Sequence, residues 1–395
     1  MKGAAHMWIG GLSMRRIVAL STAAALLALA GPCLAAPIAS AELTPSDICG
    51  TCHRDIYRMW RASAHANSME GVVFLGIFRD TEAREGPEVA RVCLGCHAPL
   101  VALNHDEALE KKVTWEGVSC DACHSLVSVD LSPGAAKQVF DPGPVKRGPI
   151  RDAASMGHQV AYSELHTKAL VCAGCHEFRN AEGIPIITTY SEWERSAAGK
   201  DGRTCQACHM GLARADVVDP KVKRVERAEV NLHQVPGGHS LDQLHKALAV
   251  TLRPGREGDD LVIEVRIANK GAGHAVPTGM PGRRVILAVD VRTSDGKTFR
   301  EGRTYGRFFR DAAGRTISRD GECFTPGVSL ESDTRIRADE QRVEKLRFPV
   351  SADATAQVAL KLHYEHAPTG GPEDRTWLTF YSEERTVPPA HESSR

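Results

Sequence analysis

Five copies of the pattern Cys-x-x-Cys-His constrain this chain more than any other feature. They are Cys49–His53, Cys93–His97, Cys120–His124, Cys172–His176 and Cys205–His209. On a helical turn, positions i, i+3 and i+4 share one face, so two sulfurs and one imidazole can meet a single flat group. The pattern is typical of covalent c-type haem attachment, in which both cysteines form thioethers and the histidine binds iron.

A Cys-x-x-Cys alone is equally compatible with a zinc knuckle, a thioredoxin-like redox pair or a disulfide. Here each copy is followed by histidine, although only 17 of 395 residues are histidine. Five such coincidences have a probability on the order of 10⁻⁷ if each following residue is a random draw. The sequence therefore predicts five covalently bound haems c, with the five motif histidines as iron ligands. The predicted thioether cysteines are Cys49, Cys52, Cys93, Cys96, Cys120, Cys123, Cys172, Cys175, Cys205 and Cys208.

The first 36 residues have the pattern of a secretory signal peptide. A basic patch at Met14–Arg16, where translation could begin, precedes the apolar run Ile17–Ala30 and a small-residue cleavage site near Ala36. An uncleaved anchor is the alternative, but the run is shorter than the ~20 residues that a span needs. Lipidation at Cys33 is disfavoured by the preceding proline. We expect a periplasmic or otherwise exported protein with no transmembrane segment after signal cleavage.

The charge balance limits the kinds of partner that the protein can bind, and one cysteine is not used by the motifs. Lys plus Arg equals Asp plus Glu at 49 each, so no basic excess indicates nucleic acid. Haem propionates would make the loaded protein acidic unless Arg and Lys pair with them, and such a surface would steer a basic redox partner. Cys323 lies outside the motifs, and we interpret it as a small buried hydrophobe rather than a reactive thiol.

The chain changes character near residue 235. Before it lie all five motifs, separated by Gly/Pro loops and with few apolar residues for a conventional core. After Lys246 the apolar residues recur with a period of two, which is typical of strands. We therefore expect an α+β protein. A mainly helical, loop-rich pentahaem cytochrome c domain with haems as its core spans residues 37–232, and an antiparallel β-sandwich-like domain with a haem-contacting loop spans residues 233–395.

Local sequence patterns predict where the helices, turns and strands of these two domains lie. Helices are predicted over Cys49–Ala64 and Ser163–His176, whereas the four prolines of Leu131–Asp152 indicate a loop. Turns are predicted at Pro254-Gly255 and Asp295-Gly296. The predicted strands are Ala247–Leu252, Leu261–Ala268, Arg284–Val291, Gln341–Phe348 and Gln357–Tyr364.

Five irons also need ligands on their second sides, and the chain is rich in histidine. On a continuous helix His65 and His166 would point away from the haem of the nearest motif, so each would reach a neighbouring haem. His233 and His239 flank Pro236-Gly237-Gly238, whose flexible backbone allows close approach, and we favour His239. His363, His366 and His391 are interpreted as surface residues. The predicted second ligands are His65, His158, His166, His239 and His274, the last on the long Gly/Pro loop Asn269–Gly282.

At this point the chain resembles the multihaem cytochromes c related to the tetrahaem electron carrier of ammonia-oxidising bacteria. The resemblance rests on Cys49–His65, Gly117–His124, Ser163–His176, Trp193–Met210 and Gly273–Gly279. It implies haems stacked in close pairs, electron transport outside the cytoplasm, and distal-ligand roles at His65 and His166. This chain departs from that carrier in having five motifs rather than four.

Three functions follow from these features. The first is an electron conduit with mostly bis-His haems, placed between an upstream quinol-linked or dehydrogenase donor and a downstream acceptor. The second is a multihaem oxidoreductase acting on a small nitrogen or sulfur compound, which needs one iron with an open position. A third, a haem-anchored binding or sensing module, is favoured only by the β region. No catalytic residue is assigned from the sequence.

Overall fold

Short helices separated by loops and short strands form the described part of the chain up to residue 209. The computed structural model describes residues 42–132, 137–223 and 229–391, so the predicted signal peptide lies outside the described residues. None of the helices within these ranges is long and apolar enough to cross a membrane. The helices are α1 (Ser46–Gly50), α2 (Arg54–Arg61), α3 (Val72–Glu85), α4 (Pro87–His97), α5 (Val101–Asn104), α6 (Lys112–Trp115), α7 (Cys120–His124), α8 (Leu170–His176), α9 (Thr189–Arg195), α10 (Ala197–Lys200), α11 (Cys205–His209) and α12 (Leu241–Ala247).

Eight short strands lie among these helices and form two-stranded ladders. The β3–β4 ladder is parallel and the other three are antiparallel. Ladders this small are only marginally stable alone, so their placement depends on the motifs around them. The strands are β1 (Leu126–Asp130), β2 (Lys137–Phe140), β3 (Val145–Gly148), β4 (Gln159–Tyr162), β5 (Phe178–Arg179), β6 (Pro185–Ile187), β7 (Leu212–Arg214) and β8 (Glu229–Asn231).

The last third of the chain is mostly antiparallel sheet. Three strands pair in the order β15-β10-β9, four in the order β12-β11-β16-β17, and β13 pairs with β14. Helices and antiparallel sheets together confirm the predicted α+β class. The strands are β9 (Leu248–Glu257), β10 (Asp260–Asn269), β11 (Arg283–Thr293), β12 (Thr298–Tyr305), β13 (Arg307–Arg310), β14 (Ser329–Asp333), β15 (Gln341–Pro349), β16 (Ala356–His366) and β17 (Thr376–Val387).

Alternation along the strands builds one hydrophobic core shared by the two larger sheets. On β11, Val285, Leu287, Val289 and Val291 are fully buried, whereas the residues between them are partly exposed. The inward side chains of β10 pack into the same cluster. Burying each such side chain contributes about 1.5–3 kcal/mol, so this core provides a rigid base for the loops at its ends.

Four local predictions are wrong in whole or in part. The helix predicted over Cys49–Ala64 is interrupted, because His53 leaves the helical conformation (φ −94°, ψ 53°) between α1 and α2. The helix over Ser163–His176 is divided into a 3₁₀ turn, Glu164–Thr167, and α8 by extended backbone at Lys168. Pro254-Gly255 lies within β9 rather than in a turn, which is tolerated because β9 is an edge strand. The predicted loop Leu131–Asp152 also contains β2 and β3.

The loop Asn269–Gly282, which is predicted to contact the haem region, packs against α9. Ala275 N donates to Glu192 Oε2 at 3.0 Å, and the hydroxyls of Thr189 and Thr278 are 2.8 Å apart. A Cβ on Gly273 would approach Trp193 to 3.0 Å, so glycine permits this close contact. The described chain from residue 42 onward forms one compact unit. The predicted domain boundary between residues 232 and 233 stays a prediction.

Candidate haem-binding sites

The motifs occupy helix ends, where their spacing brings three side chains together. The second to fifth motifs end the helices α4, α7, α8 and α11 with their histidine. In the first motif, α1 stops before the histidine, but His53 N still donates to Cys49 O at 2.8 Å. Each motif therefore presents two thiols and one imidazole on one side of a helical turn, as thioether attachment requires.

All eleven described cysteines are free thiols. Several motif thiols contact thiols of other motifs: Cys49 with Cys120, Cys96 with Cys175, and Cys172 with Cys205. Burial raises the pKa of both Cys93 and Cys123 to about 11. The Cys93 and Cys123 thiols are thus protonated at neutral pH. Cys323 is fully buried and packs with Ile186 and Phe309, as expected for a small hydrophobe.

Four motif histidines are oriented by backbone carbonyl groups. A carbonyl oxygen only accepts, so each ring carries its proton on Nδ1 and leaves the Nε2 lone pair for a metal. Burial lowers the pKa of His97 and His124 to about 4 and that of His176 to about 3, which keeps these rings neutral. Neutral imidazole is the form that binds a metal. The Nδ1 contacts are His53 to Val217 O at 2.6 Å, His97 to Ser68 O at 2.9 Å, His124 to Arg147 O at 2.6 Å and His209 to Pro236 O at 2.7 Å.

A second imidazole stands opposite four of the five motif histidines. Two imidazoles that bind one iron from opposite sides have ring centroids roughly 6 Å apart, given metal–nitrogen bonds of about 2 Å. The observed separations agree with that value and leave room for an iron between each pair. The pairs are His53 and His158 at 6.0 Å, His65 and His176 at 6.4 Å, His124 and His233 at 6.5 Å, and His209 and His274 at 6.3 Å.

Four of the predicted second ligands, His65, His158, His166 and His274, therefore lie beside a motif histidine. His65 faces the fourth motif rather than its own, and His274 extends from the β10–β11 loop to the fifth. His158 and His274 each donate Nδ1–H to a backbone carbonyl of the following residue, at 2.9 and 3.0 Å. Nε2 is thus the atom directed away from the backbone, as in the motif histidines.

His166 and His233 both lie near His124. The His166 ring is stacked at 5.9 Å, but its Nε2 contacts Cys123 O at 2.9 Å and its Nδ1 is buried without a partner. In His233 the Nδ1 donates to Asn231 O at 2.6 Å, which leaves Nε2 available. The sequence favours His239 over His233 as a second ligand. The signal for His233 was the flexible Pro-Gly-Gly segment that follows it.

His97 differs from the other motif histidines. Phe74 stacks on its ring with centroids 4.0 Å apart and an interplanar angle of 14°. Within the described ranges, no second imidazole faces it at about 6 Å. The predicted ligand His239 packs instead against Tyr364 at 5.4 Å and His366 at 5.7 Å. His366, interpreted from the sequence as a surface residue, is only 5% exposed.

The residues and the predicted cofactor fit each other. Neutral imidazoles with free Nε2 atoms, paired at iron-spanning distances, are the donor set of a bis-His haem. Free thiols at i and i+3 complete the attachment in each motif. The array departs from a uniform bis-His pattern at two motifs. Two imidazoles lie beside His124, and among the described residues no imidazole faces His97.

Comparison with known proteins supports the same class. Residues 48–125 match the family model described as cytochrome c554 and c-prime. Over 157 residues the chain is 27% identical to cytochrome c-554 of Nitrosomonas europaea, which corresponds to 35% of this chain. The chain spans 57% of the length of that curated relative.

A solved structure shows the fold over most of the chain. A penta-heme cytochrome c552 from Thermochromatium tepidum superposes with a TM-score of 0.69 at 22% identity. The superposition covers 88% of this chain and 99% of that one. It therefore includes the sheets that follow residue 235 as well as the motif-bearing region.

Proposed function

Because this chain is a multihaem c-type cytochrome, we propose that it carries electrons between redox proteins through five covalently bound haems c. The haems supply one-electron chemistry, and the chain sets their coordination, burial and spacing. The donor is a quinol-linked protein or a dehydrogenase, and the acceptor lies downstream. The compartment is the periplasm or another exported location, which rests on the signal peptide predicted for residues 1–36.

The facing histidines support a specific ligand assignment. The first haem takes His53 and His158, the third His124 and His233, the fourth His176 and His65, and the fifth His209 and His274. These four separations, between 6.0 and 6.5 Å, are the observation that carries the proposal. Imidazole on both sides keeps an iron six-coordinate in both oxidation states, so electron transfer there needs no substrate pocket.

Thiol contacts between motifs support close packing of the haems. Cys49 contacts Cys120, which brings the first and third motifs together. Cys175 contacts Cys96, and Cys172 contacts Cys205, so the fourth motif joins the second and the fifth. Because each sulfur attaches to a porphyrin edge, touching sulfurs imply touching edges. We propose that the fourth haem links the second and the fifth haems, and that the first and third form a separate close pair.

The cofactors also account for the scarcity of apolar core in the motif region. Among the described residues, the largest buried cluster there has seven members, whereas the cluster around the two larger β sheets has twenty-six. We infer that the porphyrins supply most of the missing apolar surface, and that the sheets form a sandwich-like module beside them. Folding of residues 42–232 would then depend on haem attachment.

Mass spectrometry and electron paramagnetic resonance test this proposal. Protein matured in a host competent for cytochrome c assembly should have the mass of the mature polypeptide plus five haems. The oxidised protein should show four low-spin ferric centres with bis-His signatures. Bare polypeptide mass, or mainly high-spin iron, would contradict the proposed carrier.

A second function is favoured at one motif. We propose that the haem of Cys93–His97 has an open position and that the protein acts there as an oxidoreductase on a small nitrogen or sulfur compound. It is supported by the lack of a facing imidazole among the described residues, in contrast to the other four motifs. A high-spin fifth signal that changes on addition of a small ligand supports this function, whereas five low-spin signals contradict it.

A further inference from the structure

A buried polar pocket lies where the four-stranded sheet meets the second motif. Arg283 on β11 is directly opposite His366 on β16, and Val285 is opposite Tyr364. Because directly opposed residues share a face of the sheet and side chains repeat every second residue, Arg283, Tyr364 and His366 lie on one face. His239 closes the group by packing on the Tyr364 and His366 rings.

Three polar atoms in this pocket are buried without a hydrogen-bond partner. They are Arg283 Nε, Tyr364 Oη and His366 Nδ1. Tyr364 is 1% exposed and His366 5% exposed. Buried polar groups almost always have partners, so three unpaired atoms in one place indicate a bound group that supplies them.

Each atom has a defined chemical role. The Nε2 of His366 contacts Asp320 Oδ2 at 3.0 Å, and Asp320 Oδ1 accepts from Gly282 N at 2.7 Å. Asp320 therefore fixes the His366 ring and directs Nδ1 away from the carboxylate. Arg283 donates Nη1–H to Thr278 O at 3.2 Å, which leaves Nε–H for another acceptor. Among the described residues, Arg283 forms no direct ion pair with a carboxylate, and Asp320 in the same pocket is engaged by His366 and Gly282 N.

Glycines make room for this arrangement. A Cβ on Gly279, where φ is +97°, would lie 2.8 Å from Arg283 Nη1. A Cβ on Gly238 would lie 3.1 Å from Tyr364 Oη. The backbone thus approaches two of the polar groups more closely than any other residue would allow.

The pocket is adjacent to the second motif. The 3₁₀ turn Asp320–Phe324, which holds Asp320, packs against α3 and α4, and α4 carries Cys93, Cys96 and His97. The charge of Arg283 lowers the pKa of His97 after the larger effect of burial, which is consistent with this proximity. The same face of the sheet thus borders the motif whose histidine has no facing imidazole.

We propose that Arg283, Tyr364, His366 and His239 form the distal side of the site at Cys93–His97 and bind a small oxyanion there. This rests on the second function proposed above. Arg283 holds the negative charge, the Tyr364 hydroxyl donates to a ligand oxygen, and His366, held by Asp320, is placed to exchange a proton at Nδ1. Nitrite and sulfite carry the negative charge and the acceptor oxygens that these donors would bind.

Ligand titration of the oxidised holoprotein tests the pocket. Nitrite and sulfite are added separately, and the dissociation constant is followed by the optical spectrum and by the high-spin resonance. Loss of one charge-assisted hydrogen bond weakens binding by roughly 10- to 100-fold. We expect Arg283→Gln and Tyr364→Phe to weaken binding by that factor. Arg284→Gln and Tyr381→Phe remove the same groups at positions outside the pocket, and should bind as the wild type does.

The outcomes separate the two proposals. A high-spin centre that binds the anions equally well in all four variants overturns the pocket and leaves the open position intact. No high-spin centre in the wild type overturns the open position and the pocket with it. Binding of neutral imidazole but of neither anion overturns the oxyanion class. A shifted midpoint potential in Arg283→Gln with unchanged anion affinity assigns Arg283 to a haem propionate and overturns its proposed role.

Discussion

Replacing Arg335 with methionine should destabilise the protein by about 3 kcal/mol. The guanidinium is 5% exposed and contacts Glu192 Oε1 at 2.6 Å and both oxygens of Asp333, at 2.7 and 2.8 Å. Removing one partner of a buried ion pair typically costs about 3–5 kcal/mol, because the other charges stay buried. Arg307 remains 3.7 Å from Asp333 and offsets part of the loss, so we take the lower limit.

The assay is equilibrium denaturation of the holoprotein, followed by far-ultraviolet circular dichroism. Arg300→Met is the matched control: Arg300 contacts Asp290 at 2.6 Å, but its side chain is 81% exposed. An exposed pair of this kind is worth at most about 1 kcal/mol. If Arg335→Met is no less stable than Arg300→Met, the buried network is not holding the β module against α9 and the reasoning fails.

Three further outcomes are expected. His274→Ala should convert one low-spin centre to high spin in the resonance spectrum, whereas exposed His391→Ala should change nothing. Lys146→Met should cost about 3 kcal/mol of unfolding free energy, since Asp121 is 1% exposed and loses its cation; an equal effect from exposed Lys112→Met would contradict this. Burial raises the pKa of Asp333, but the hydrogen bonds and charge of Arg335, together with the charge of Arg307, bring it below the ordinary 3.8. The stability difference between wild type and Arg335→Met should therefore be complete above pH 4 and shrink as pH falls below 3.8.

Much of the fold could be predicted from local pattern. The period-two runs at Leu261–Ala268 and Arg284–Val291 correspond to β10 and β11, whose inward residues form the shared core. The sequence pattern does not predict the short strands β13 and β14, nor the longer strands β12 and β17. Both longer strands lie at sheet edges and carry mainly polar, exposed side chains, so burial imposes no strong alternation on their sequence.

The pairing of histidines could be predicted only in part. The Cys-x-x-Cys-His spacing is local, and one helical turn determines what it presents. Which imidazole faces which motif depends on contacts between distant segments, such as His65 with His176. The sequence favours His239 over His233, although both flank the same glycines. Which of the two faces a motif histidine depends on the Asn231 carbonyl group, which orients the His233 ring and has no signature in the sequence. No sequence signal separated His366 from the surface histidines, since its burial follows from strand register and from Asp320.

One residue connects the stability of the β module to the position of His274. Glu192 on α9 accepts from Arg335 through Oε1, and through Oε2 it accepts from Ala275 N, directly after His274. Glu192→Gln keeps one oxygen that can accept from Ala275 N but loses the charge that faces Arg335. Glu192→Ala loses both contacts.

We therefore expect Glu192→Gln to lower the unfolding free energy while leaving the low-spin resonance of the fifth centre in place. Glu192→Ala should lower stability at least as much, and should also broaden or shift that resonance, because the loop that carries His274 is no longer held on α9. Thr189, whose hydroxyl contacts Thr278 on the same loop, provides the comparison: Thr189→Val removes a loop contact without touching the ion pair. If Glu192→Ala changes stability but leaves the resonance as sharp as in the wild type, His274 is positioned by its own loop alone. The β module would then be a support for the fifth site rather than a determinant of its geometry.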